Sequence, residues 1–423
     1  MSEPLRNHCT LKGGTGFPEA LQGGLDEEFA FIKVSDMSLP GNQRFITVAN
    51  NYVSAQTAGQ LNAAIFPAQS TVFAKVGAAL LLNRRRMLTA PTIIDNNMMA
   101  AVPTNSDPEF LYHFLCGIDF ANHVQTGALP SINQATIGAI AFPSFATVQQ
   151  RRIAEILTTV DEAMEQTEAL VAKLQQMKAG LMHDLFTRGV TPKGHLRPTQ
   201  PEAPHLYHQT PLGWLPKEWE VNRLGTILKK CGGYLQTGPF GSQLHAHEYQ
   251  HEGVPVVMPQ DINDGLISTD QIARIFERRA EELARHRMKV GDVVIARRGD
   301  LSRAAAITEP KEGWVCGTGC FLLRLGRGEL RAEFASAVYR HDLIQRQIEG
   351  MAVGTTMPSL NNSVMERLFF PFCDPDEQTR IIERLAANDA LLINSQNHLA
   401  KLRQQKQGLM QDLLTGRVRV SAK

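Results

Sequence analysis

The feature that most constrains the fold is an internal repeat, in which residues 130–190 recur as residues 358–418. Pro-Ser-Ile-Asn at 130–133 returns as Pro-Ser-Leu-Asn at 358–361, and the offset of 228 residues then holds without a gap. The segments that precede the two copies match each other only faintly. Repeated segments that flank diverged ones predict a duplicated scaffold. The scaffold would hold two different modules, and both would recognise one extended partner.

Apolar residues follow a heptad pattern in both copies. Their intervals alternate between three and four residues, which is typical of the seam of a coiled coil. The predicted seam residues are Ile153, Leu157, Val160, Met164, Val171, Leu174, Leu181 and Leu185 in the first copy, and Ile381, Leu385, Leu392, Leu399, Leu402, Leu409 and Leu413 in the second. Both seams share polar interruptions, at Thr167 and Ser395 and at Lys178 and Lys406, which are expected to fix the register of pairing.

Seams of this length need a partner helix to bury them. We therefore expect the two helices to pair with each other. Either orientation is sterically possible, and we expect an antiparallel coiled coil, in which a pseudo-twofold relates the two domains. The alternative is that each helix caps its own domain. The blocks between the helices carry short β-like runs and many turn residues, so the fold class is α+β.

The pattern divides the chain into six segments. They are a first variable domain at 1–148, a first helix at 149–190, a proline-rich linker at 191–212, a second variable domain at 213–373, a second helix at 374–418 and a tail at 419–423.

Composition excludes binding of nucleic acid by bulk charge, since 43 basic residues face 42 acidic ones. No segment reaches the roughly 18 apolar residues of a membrane helix, and the N-terminus has no basic start followed by an apolar run. The six cysteines do not pair in spacing between the two halves. These features predict a cytoplasmic protein with reduced thiols.

Several motifs resemble one known family, the specificity subunits of type I restriction–modification systems. They are residues 149–157 with their echo at 377–383, the helix end that contains Gly-Leu-Met in both copies, and the strings at 31–37, 213–219, 236–242 and 291–299. The resemblance covers nearly the whole chain. The first domain lacks the Gly-Trp-Leu-Pro opening of the second, so we expect its N-terminal strand to be different or shortened.

This resemblance implies a DNA-binding subunit with two target recognition domains, each of which reads one half of a split DNA sequence. The paired helices would act as a ruler that sets the gap and would dock two methyltransferase (M) subunits. S-adenosylmethionine would bind in the M subunits and not in this chain. Separate translocase-nuclease (R) subunits would cut the DNA.

Sequence is read in the major groove by Arg, Asn and Gln side chains, while phosphates are held by Lys, Arg, Ser and backbone N–H groups. These residue types, at predicted strand ends and in turns, give the candidate DNA-binding residues. In the first domain they are Lys33, Ser35, Lys75, Arg84, Arg85, Asn96, Asn97, Ser131 and Asn133. In the second they are Gln236, Thr237, Ser242, Gln243, Arg297, Arg298, Arg303, Thr355, Ser359 and Asn361.

Each candidate has a structural alternative. The arginines at 297–303 have the alternative of solvated ion pairs at a strand end. Asn96 and Asn97 are also good turn formers. The shared Pro-Ser-(Ile/Leu)-Asn motif indicates a common duty, either positioning of phosphates or holding each domain on its helix.

No catalytic or metal-binding motif emerges. The sequence has neither a P-loop nor the motifs of a methyltransferase that binds S-adenosylmethionine, and Gly13 to Gly16 is interpreted as a turn. His245, His247 and His251 lack a ligand partner at helical spacing, so we expect no metal site. The leading hypothesis is a non-catalytic specificity subunit. A coiled-coil adaptor and a specificity module of another DNA-modification defence system remain open alternatives.

Overall fold

A computed structural model describes residues 2–124, 129–241, 243–327, 329–351 and 359–420 of the 423-residue chain. The chain forms two compact units. Unit 1 combines Met1–Leu170 with Ser395–Lys423, and unit 2 comprises Val171–Asn394. The predicted linear domains do not coincide with these units, because each long helix is divided between both.

Unit 1 contains eleven strands among its described residues. They are β1 (Ser2–Pro4), β2 (Cys9–Gly13), β3 (Phe29–Ile32), β4 (Phe45–Ile46), β5 (Tyr52–Val53), β6 (Ile65–Phe66), β7 (Thr71–Ala74), β8 (Arg85–Leu88), β9 (Thr92–Ile94), β10 (Met98–Pro103) and β11 (Ala141–Pro143). Its short helices are α1 (Ala55–Gln60), α2 (Ala78–Leu81), α3 (Pro108–Cys116) and α4 (Gln134–Gly138), and the first long helix, α5 (Thr147–Thr187), begins here.

Unit 2 contains thirteen strands among its described residues. They are β12 (Tyr207–Thr210), β13 (Gly213–Pro216), β14 (Glu220–Arg223), β15 (Tyr234–Thr237), β16 (Val254–Val257), β17 (Ile262–Asn263), β18 (Leu266–Ile267), β19 (Ala273–Ile275), β20 (Asp292–Ala296), β21 (Ala304–Ala306), β22 (Val315–Cys316), β23 (Cys320–Arg324) and β24 (Phe369–Phe372). The helices are α6 (Leu224–Cys231), α7 (Glu277–Glu282), α8 (Ala332–Arg340), α9 (Asp342–Glu349), α10 (Asn362–Arg367) and the second long helix, α11 (Pro375–Leu413).

The two units share one sheet topology although their sequences have diverged. The larger sheet has the order β2-β10-β7-β8-β4 in unit 1 and β15-β23-β20-β21 in unit 2. In the second sheet, β3 pairs antiparallel with β5 and parallel with β9, and β16 pairs in the same two ways with β19 and β22. The structure is therefore the predicted α+β fold built from a repeated domain.

The first N-terminal strand is shorter than its counterpart, since β1 has 3 residues and β14 has 4. β1 pairs with β11 as β14 pairs with β24. Leu5 donates its backbone N–H to Ile140 O at 2.9 Å, and Leu224 repeats this bond to Leu368 O at 2.8 Å. The strand is thus retained, and the Gly-Trp-Leu-Pro segment of the second domain forms β13 of an additional hairpin with β12.

The two long helices run antiparallel within each unit. In unit 1, Asp161 of α5 pairs with Lys406 of α11, and Glu168 of α5 pairs with Arg403 of α11. The residue numbers of α11 therefore decrease in the direction in which those of α5 increase. In unit 2, Lys178 pairs with Asp389 of α11. Ten of the fifteen predicted seam residues are buried, and the other five, Val160, Met164, Val171, Leu181 and Leu409, are half-buried.

A buried glutamine ties the start of each long helix to its domain. Gln150 Oε1 accepts the backbone N–H of Asp107, which caps α3, at 2.8 Å. Gln378 occupies the same position of the repeat and accepts the N–H of Arg331, which precedes α8, at 2.9 Å. Both amide nitrogens donate to nearby backbone carbonyls, at 3.0 Å in the first copy and at 2.8 and 2.9 Å in the second. These bonds fix each domain on its helix by satisfying an N–H at a helix start.

Candidate nucleic-acid interface

A basic residue follows the end of the same central strand in each unit. Lys75 follows β7 in unit 1, and Arg297 follows β20 in unit 2. Their backbone N–H groups both donate at 2.8 Å, to Asn97 O and Gly319 O respectively. Both side chains are half-buried at the sheet edge. The strand end thus presents one cation at the equivalent place in each domain.

The shared Pro-Ser-(Ile/Leu)-Asn motif holds this strand end. Ile132 donates its N–H to Lys75 O, and Leu360 donates to Arg297 O, both at 3.0 Å. Ser131 forms a β-bridge with Val76, and the bridge between Ser359 and Arg298 repeats it. The apolar residue of each motif is buried in the core.

Glycine follows the bridge in both copies. Gly77 and Gly299 have φ angles of 78° and 76°, a left-handed conformation that residues with a Cβ rarely adopt. The positive φ lets the chain turn sharply away from the strand end. The adjacent residue of unit 2, Arg298, remains exposed.

The asparagines of the motif are helix caps. Asn133 Oδ1 accepts the N–H of Thr136 at 2.8 Å at the start of α4, and Asn361 Oδ1 accepts the N–H of Val364 at 2.9 Å at the start of α10. Capping uses the oxygen that a base contact would need, so the geometry favours the structural duty that the duplication indicated. Both asparagines are nevertheless exposed.

In each unit, a glycine lets two backbone segments approach closely, and the sequence did not predict this contact. A Cβ on Gly14 would overlap the carbonyl oxygens of Ile94 and Asp95, and a Cβ on Gly238 would overlap that of Gly317. Gly14 donates to Met98 O at 3.2 Å, and Gly238 donates to Cys320 O at 2.8 Å. Only glycine allows this approach of two backbones. The strings at 12–17 and 236–241 contain the signal, but it becomes visible only after β2 is matched with β15.

The environment of Arg297 suits a positioned cation. Its Nε donates to Leu360 O at 3.0 Å, and its guanidinium lies 5.9 Å from the ring centroid of Phe321. Burial and the neighbouring Arg298 lower the pKa of Arg297 below its usual value. The guanidinium is held by its Nε, which leaves the terminal nitrogens of the fork for an anion.

The prediction that Arg85 contacts DNA is wrong, because the side chain is buried. Only 2% of Arg85 is exposed, its guanidinium carbon lies 3.8 Å from the ring centroid of Phe120, and its side chain donates to Asn83 and to Ile118 O. Burial lowers the pKa of Arg85 to about 10. Strand pairing makes it the counterpart of Ala304, so the side chain points into the core and cannot reach a phosphate.

Arg84 and Arg303 are equivalent positions immediately before β8 and β21. Arg84 is exposed and donates to Ser38 Oγ. Arg303 is half-buried, and its guanidinium binds Asp300 at 3.0 Å and the carbonyl oxygens of Pro259, Gln260 and Ile262 at 3.2 to 3.4 Å. Arg303 therefore braces the loop before β17.

Of the remaining candidates, Gln236 and Thr237 end strand β15, and the other described ones lie outside the strands. Ser35, Asn96 and Asn97 are exposed, and Asn97 belongs to a turn in which its N–H donates to Asp95 Oδ1 at 2.9 Å. The half-buried candidates are Lys33, Gln236, Thr237 and Gln243. Lys33 donates to Gln22 at 2.9 Å, and Gln236 donates to Arg285 O at 2.5 Å. Gln243 Oε1 accepts the backbone N–H of Phe240 at 3.2 Å. Ser242 and Thr355 lie outside the described residues.

No group of three or more histidine, cysteine, aspartate or glutamate side chains in the described part of the chain has the geometry of a metal site. His245 and His247 stack on each other with ring centroids 5.4 Å apart. Among the described helices, none combines the length and apolar character that crossing a membrane requires.

A family model described as the type I restriction modification DNA specificity domain matches residues 26–176 and 216–404. The two segments make up well over half of the chain, and each covers most of one of the two domains of common topology. The chain belongs to this family. The type I specificity fold therefore accounts for the duplicated domain and for the resemblance of the individual motifs.

Known members of the family are distant relatives. The type I restriction enzyme MjaVIII specificity subunit of Methanocaldococcus jannaschii is 22% identical over 300 residues, and the putative MjaX specificity subunit of the same organism is 24% identical over 304 residues. Both alignments cover 69% of this chain. They span only 65% and 62% of the lengths of those relatives, which is less than two thirds.

Two solved structures share the fold over almost the whole chain. The S subunit of a type I restriction–modification system from M. genitalium has a TM-score of 0.59 at 14% identity, with 98% of this chain and 96% of that chain covered. A chain from a study of complex assembly and conformational transition of the type I R-M system has a TM-score of 0.53 at 15% identity, with 98% and 97% covered.

Proposed function

We propose that this chain is the DNA sequence-recognition subunit of a type I restriction–modification complex. The observation that carries the proposal is the duplicated strand end, in which Lys75 and Arg297 occupy one position on two domains of the specificity family. A protein that recognises a split DNA target needs one recognition surface for each half. Two domains of common topology and different loops meet that requirement.

Within each domain, the strand end and the loops have different tasks. Lys75, Arg297 and Arg298 are the proposed phosphate-holding residues, since charged groups on a rigid strand end fix the register of a protein on the duplex. The candidate base-reading side chains are Asn96 and Asn97 in the first domain and Gln236, Thr237 and Gln243 in the second, because amides and hydroxyls recognise base edges. Arg85 is omitted because it is buried.

The chain has no catalytic task in this proposal. Methylation is the work of two M subunits, which bind S-adenosylmethionine, and cleavage is the work of R subunits. The antiparallel helices act as a ruler between the two half-sites. The support for these roles is the family membership and the repetition of the helix seam.

Two equivalent grooves are the proposed docking sites for the M subunits. The first lies against the end of α11, where Ile118, Met164 and Met410 form an apolar floor beside Arg403 and Lys406. The second lies against the end of α5, and its residues His183 and Thr187 occupy the repeat positions of Gln411 and Thr415 of the first. Equivalent grooves at both ends of the repeat suit two copies of one partner.

The proposal is tested by exchange of one domain. The segment 224–369 is replaced by the corresponding segment of a related specificity subunit, and the full chain is co-expressed with its methyltransferase subunit. Sequencing of methylated adenines is expected to show one half of the target altered and the other half unchanged. A target that changes in both halves, or not at all, contradicts the proposal.

A further inference from the structure

One aspartate at the tip of a hairpin joins the second domain to both long helices through a buried lysine. Asp264 Oδ2 accepts a hydrogen bond from Lys178 Nζ at 2.6 Å, and Lys178 Nζ lies 2.7 Å from Asp389 Oδ1. Lys178 belongs to α5 and Asp389 to α11. One ammonium group thus connects three separate elements of unit 2.

The same aspartate also binds the domain on its other side. Asp264 Oδ1 accepts from Arg340 Nη1 at 2.8 Å, at the C-terminal end of α8. The two carboxylate oxygens are therefore used on two different cations. Lys178 and Arg340 have side chains that are 9% and 14% exposed, whereas Asp264 is 55% exposed. A buried cation needs a counter-charge, which gives this carboxylate a definite task.

The turn of the hairpin places the carboxylate of Asp264 beside these two cations. β17 and β18 are joined by Asp264 and Gly265, which have φ angles of 46° and 83°. An Asp-Gly pair with two positive φ angles is the preferred two-residue turn of a β-hairpin. A Cβ on Gly265 would lie 2.7 Å from Arg340 Nη2, so a larger residue would displace the guanidinium from its present position. Ile262 and Ile267 anchor the hairpin in the domain core.

In unit 1, a residue of opposite charge, Arg44, connects the region before β4 to the long helix. Arg44 precedes β4, is only 6% exposed, and donates to Thr158 Oγ1 of α5 at 2.9 Å as well as to Glu109 of α3. The domain contributes a cation, Arg44, to this connection in unit 1, and an anion, Asp264, in unit 2. The long helix offers the hydroxyl of Thr158 in unit 1, where the ion-pair partner Glu109 belongs to α3, and the ammonium group of Lys178 in unit 2.

We propose that Asp264 is a positioning residue that holds the second recognition domain at a fixed orientation on the helix pair and so restricts the permitted gap between the two DNA half-sites. The inference rests on the proposed function, because a gap exists only if the chain reads a split target. Asp264 contacts no DNA in this account. It acts through Lys178 and Arg340, which set where the domain points.

The test compares Asp264→Asn with the wild type in the full complex with its methyltransferase subunit. Asparagine tolerates a positive φ, so the substitution removes the charge and keeps the turn. The matched control is Asp270→Asn, an exposed aspartate in the same domain. Methylation is measured on DNA substrates that carry both half-sites with the gap unchanged, lengthened by one base pair or shortened by one base pair.

Asp264→Asn is expected to raise methylation of the altered-gap substrates relative to the unaltered one by about threefold to fivefold, the size expected for loss of a partly exposed ion pair. The preferred bases of both half-sites stay the same, and Asp270→Asn behaves as the wild type. A change in the bases of the second half-site would overturn the inference, since it would make Asp264 a base-contacting residue.

Unchanged gap tolerance in Asp264→Asn, with a normal split target in the wild type, would overturn the inference and leave the proposed function intact. Absence of a split target in the wild type would overturn the proposed function itself. A merely structural role would lower the unfolding temperature without changing the ratio of methylation between gap lengths, and that result also contradicts the inference.

Discussion

Lys406 Nζ lies 2.5 Å from Asp161 Oδ1 within the helix pair of unit 1, and the equivalent residues Lys178 and Asp389 form the same ion pair in unit 2 at 2.7 Å. Each lysine is 228 positions from its counterpart, as is each aspartate. In an antiparallel pair, one lysine–aspartate contact repeated by the internal symmetry fixes the register of both helices. The two copies of the repeat thus share this lysine–aspartate ion pair as well as their sequence similarity.

Substitution Lys406→Met is expected to destabilise the chain by about 2–3 kcal/mol, because Asp161 is 6% exposed and would lose its counter-charge. The measurement is the free energy of unfolding in urea. The double variant Asp161→Leu with Lys406→Met recovers most of the loss, since a buried charge no longer lacks a partner. Lys401→Met, at an exposed position of the same helix, is the matched control and changes stability by less than about 0.5 kcal/mol. Equal effects of both lysine variants would contradict the role of the ion pair.

Substitution Arg298→Gln is expected to weaken DNA binding by the assembled complex without loss of stability, because Arg298 is exposed at the strand end. Loss of one phosphate contact reduces the slope of log affinity against log salt concentration by about one. Fluorescence anisotropy over a range of salt concentrations measures this slope. Lys229→Gln, an exposed cation on α6, serves as the control and leaves the slope unchanged. An unaltered slope for Arg298→Gln would remove this residue from the interface.

His113 is expected to make the stability of the chain depend on pH. Burial, followed by the charges of Lys406 and Arg44, lowers the pKa of His113 to about 3, from about 6.5 in an unfolded chain. Its Nδ1 lies 3.8 Å from Asp161, and its Nε2 lies 3.1 Å from Thr158 Oγ1. Between these two pKa values only the unfolded chain takes up the proton, so the stability is present above pH 6.5 and decreases as the pH falls.

His113→Gln is therefore expected to reduce the difference in unfolding free energy between pH 7 and pH 5 by about 2 kcal/mol. Urea denaturation at the two pH values gives this difference. His398→Gln, at an exposed site, should keep the wild-type profile. If His113→Gln also kept the wild-type profile, the uncharged state of His113 in the fold would be refuted.

Removal of one heptad from each long helix tests the ruler. Residues 166–172 and 394–400 occupy the same positions of the repeat, and their deletion keeps the seven-residue period of both seams. Seven helical residues span about 10 Å, which is about three base pairs of DNA at roughly 3.4 Å each. The expected result is a gap shortened by about three base pairs with both half-sites retained, as measured by methylation mapping. Retention of the original gap would contradict the ruler.

The parts of this fold that follow from local periodicity could be predicted from the sequence. Ile153 and Ile381 are buried as seam residues, and the polar interruptions Lys178 and Lys406 lie between the helices as expected. Their partners were not predictable, because Asp161 reaches Lys406 and Asp389 reaches Lys178 only through antiparallel pairing of segments that lie more than 200 residues apart. Asp264 was missed for the same reason, since its task depends on a tertiary contact.

The candidate DNA-binding residues were harder to predict because the same side chains serve two purposes. Arg84 and Arg85 are adjacent in a basic run, yet strand alternation exposes one and buries the other. Lys75 and Arg297 share a position that became apparent only when β7 was matched with β20. The exposed loops diverged most between the two copies, and they therefore carry no internal repeat from which a common role can be inferred.

The most direct measurement of the central claim is a map of methylated adenines in cells that co-express this chain with its cognate methyltransferase subunit. We expect methylation within one split motif, with two defined half-sites and a gap of constant length. Methylation that depends on this chain but follows a single contiguous motif, or a complex that forms without any sequence-specific methylation, would contradict the claim that two domains on a duplicated helical frame read two halves of one target.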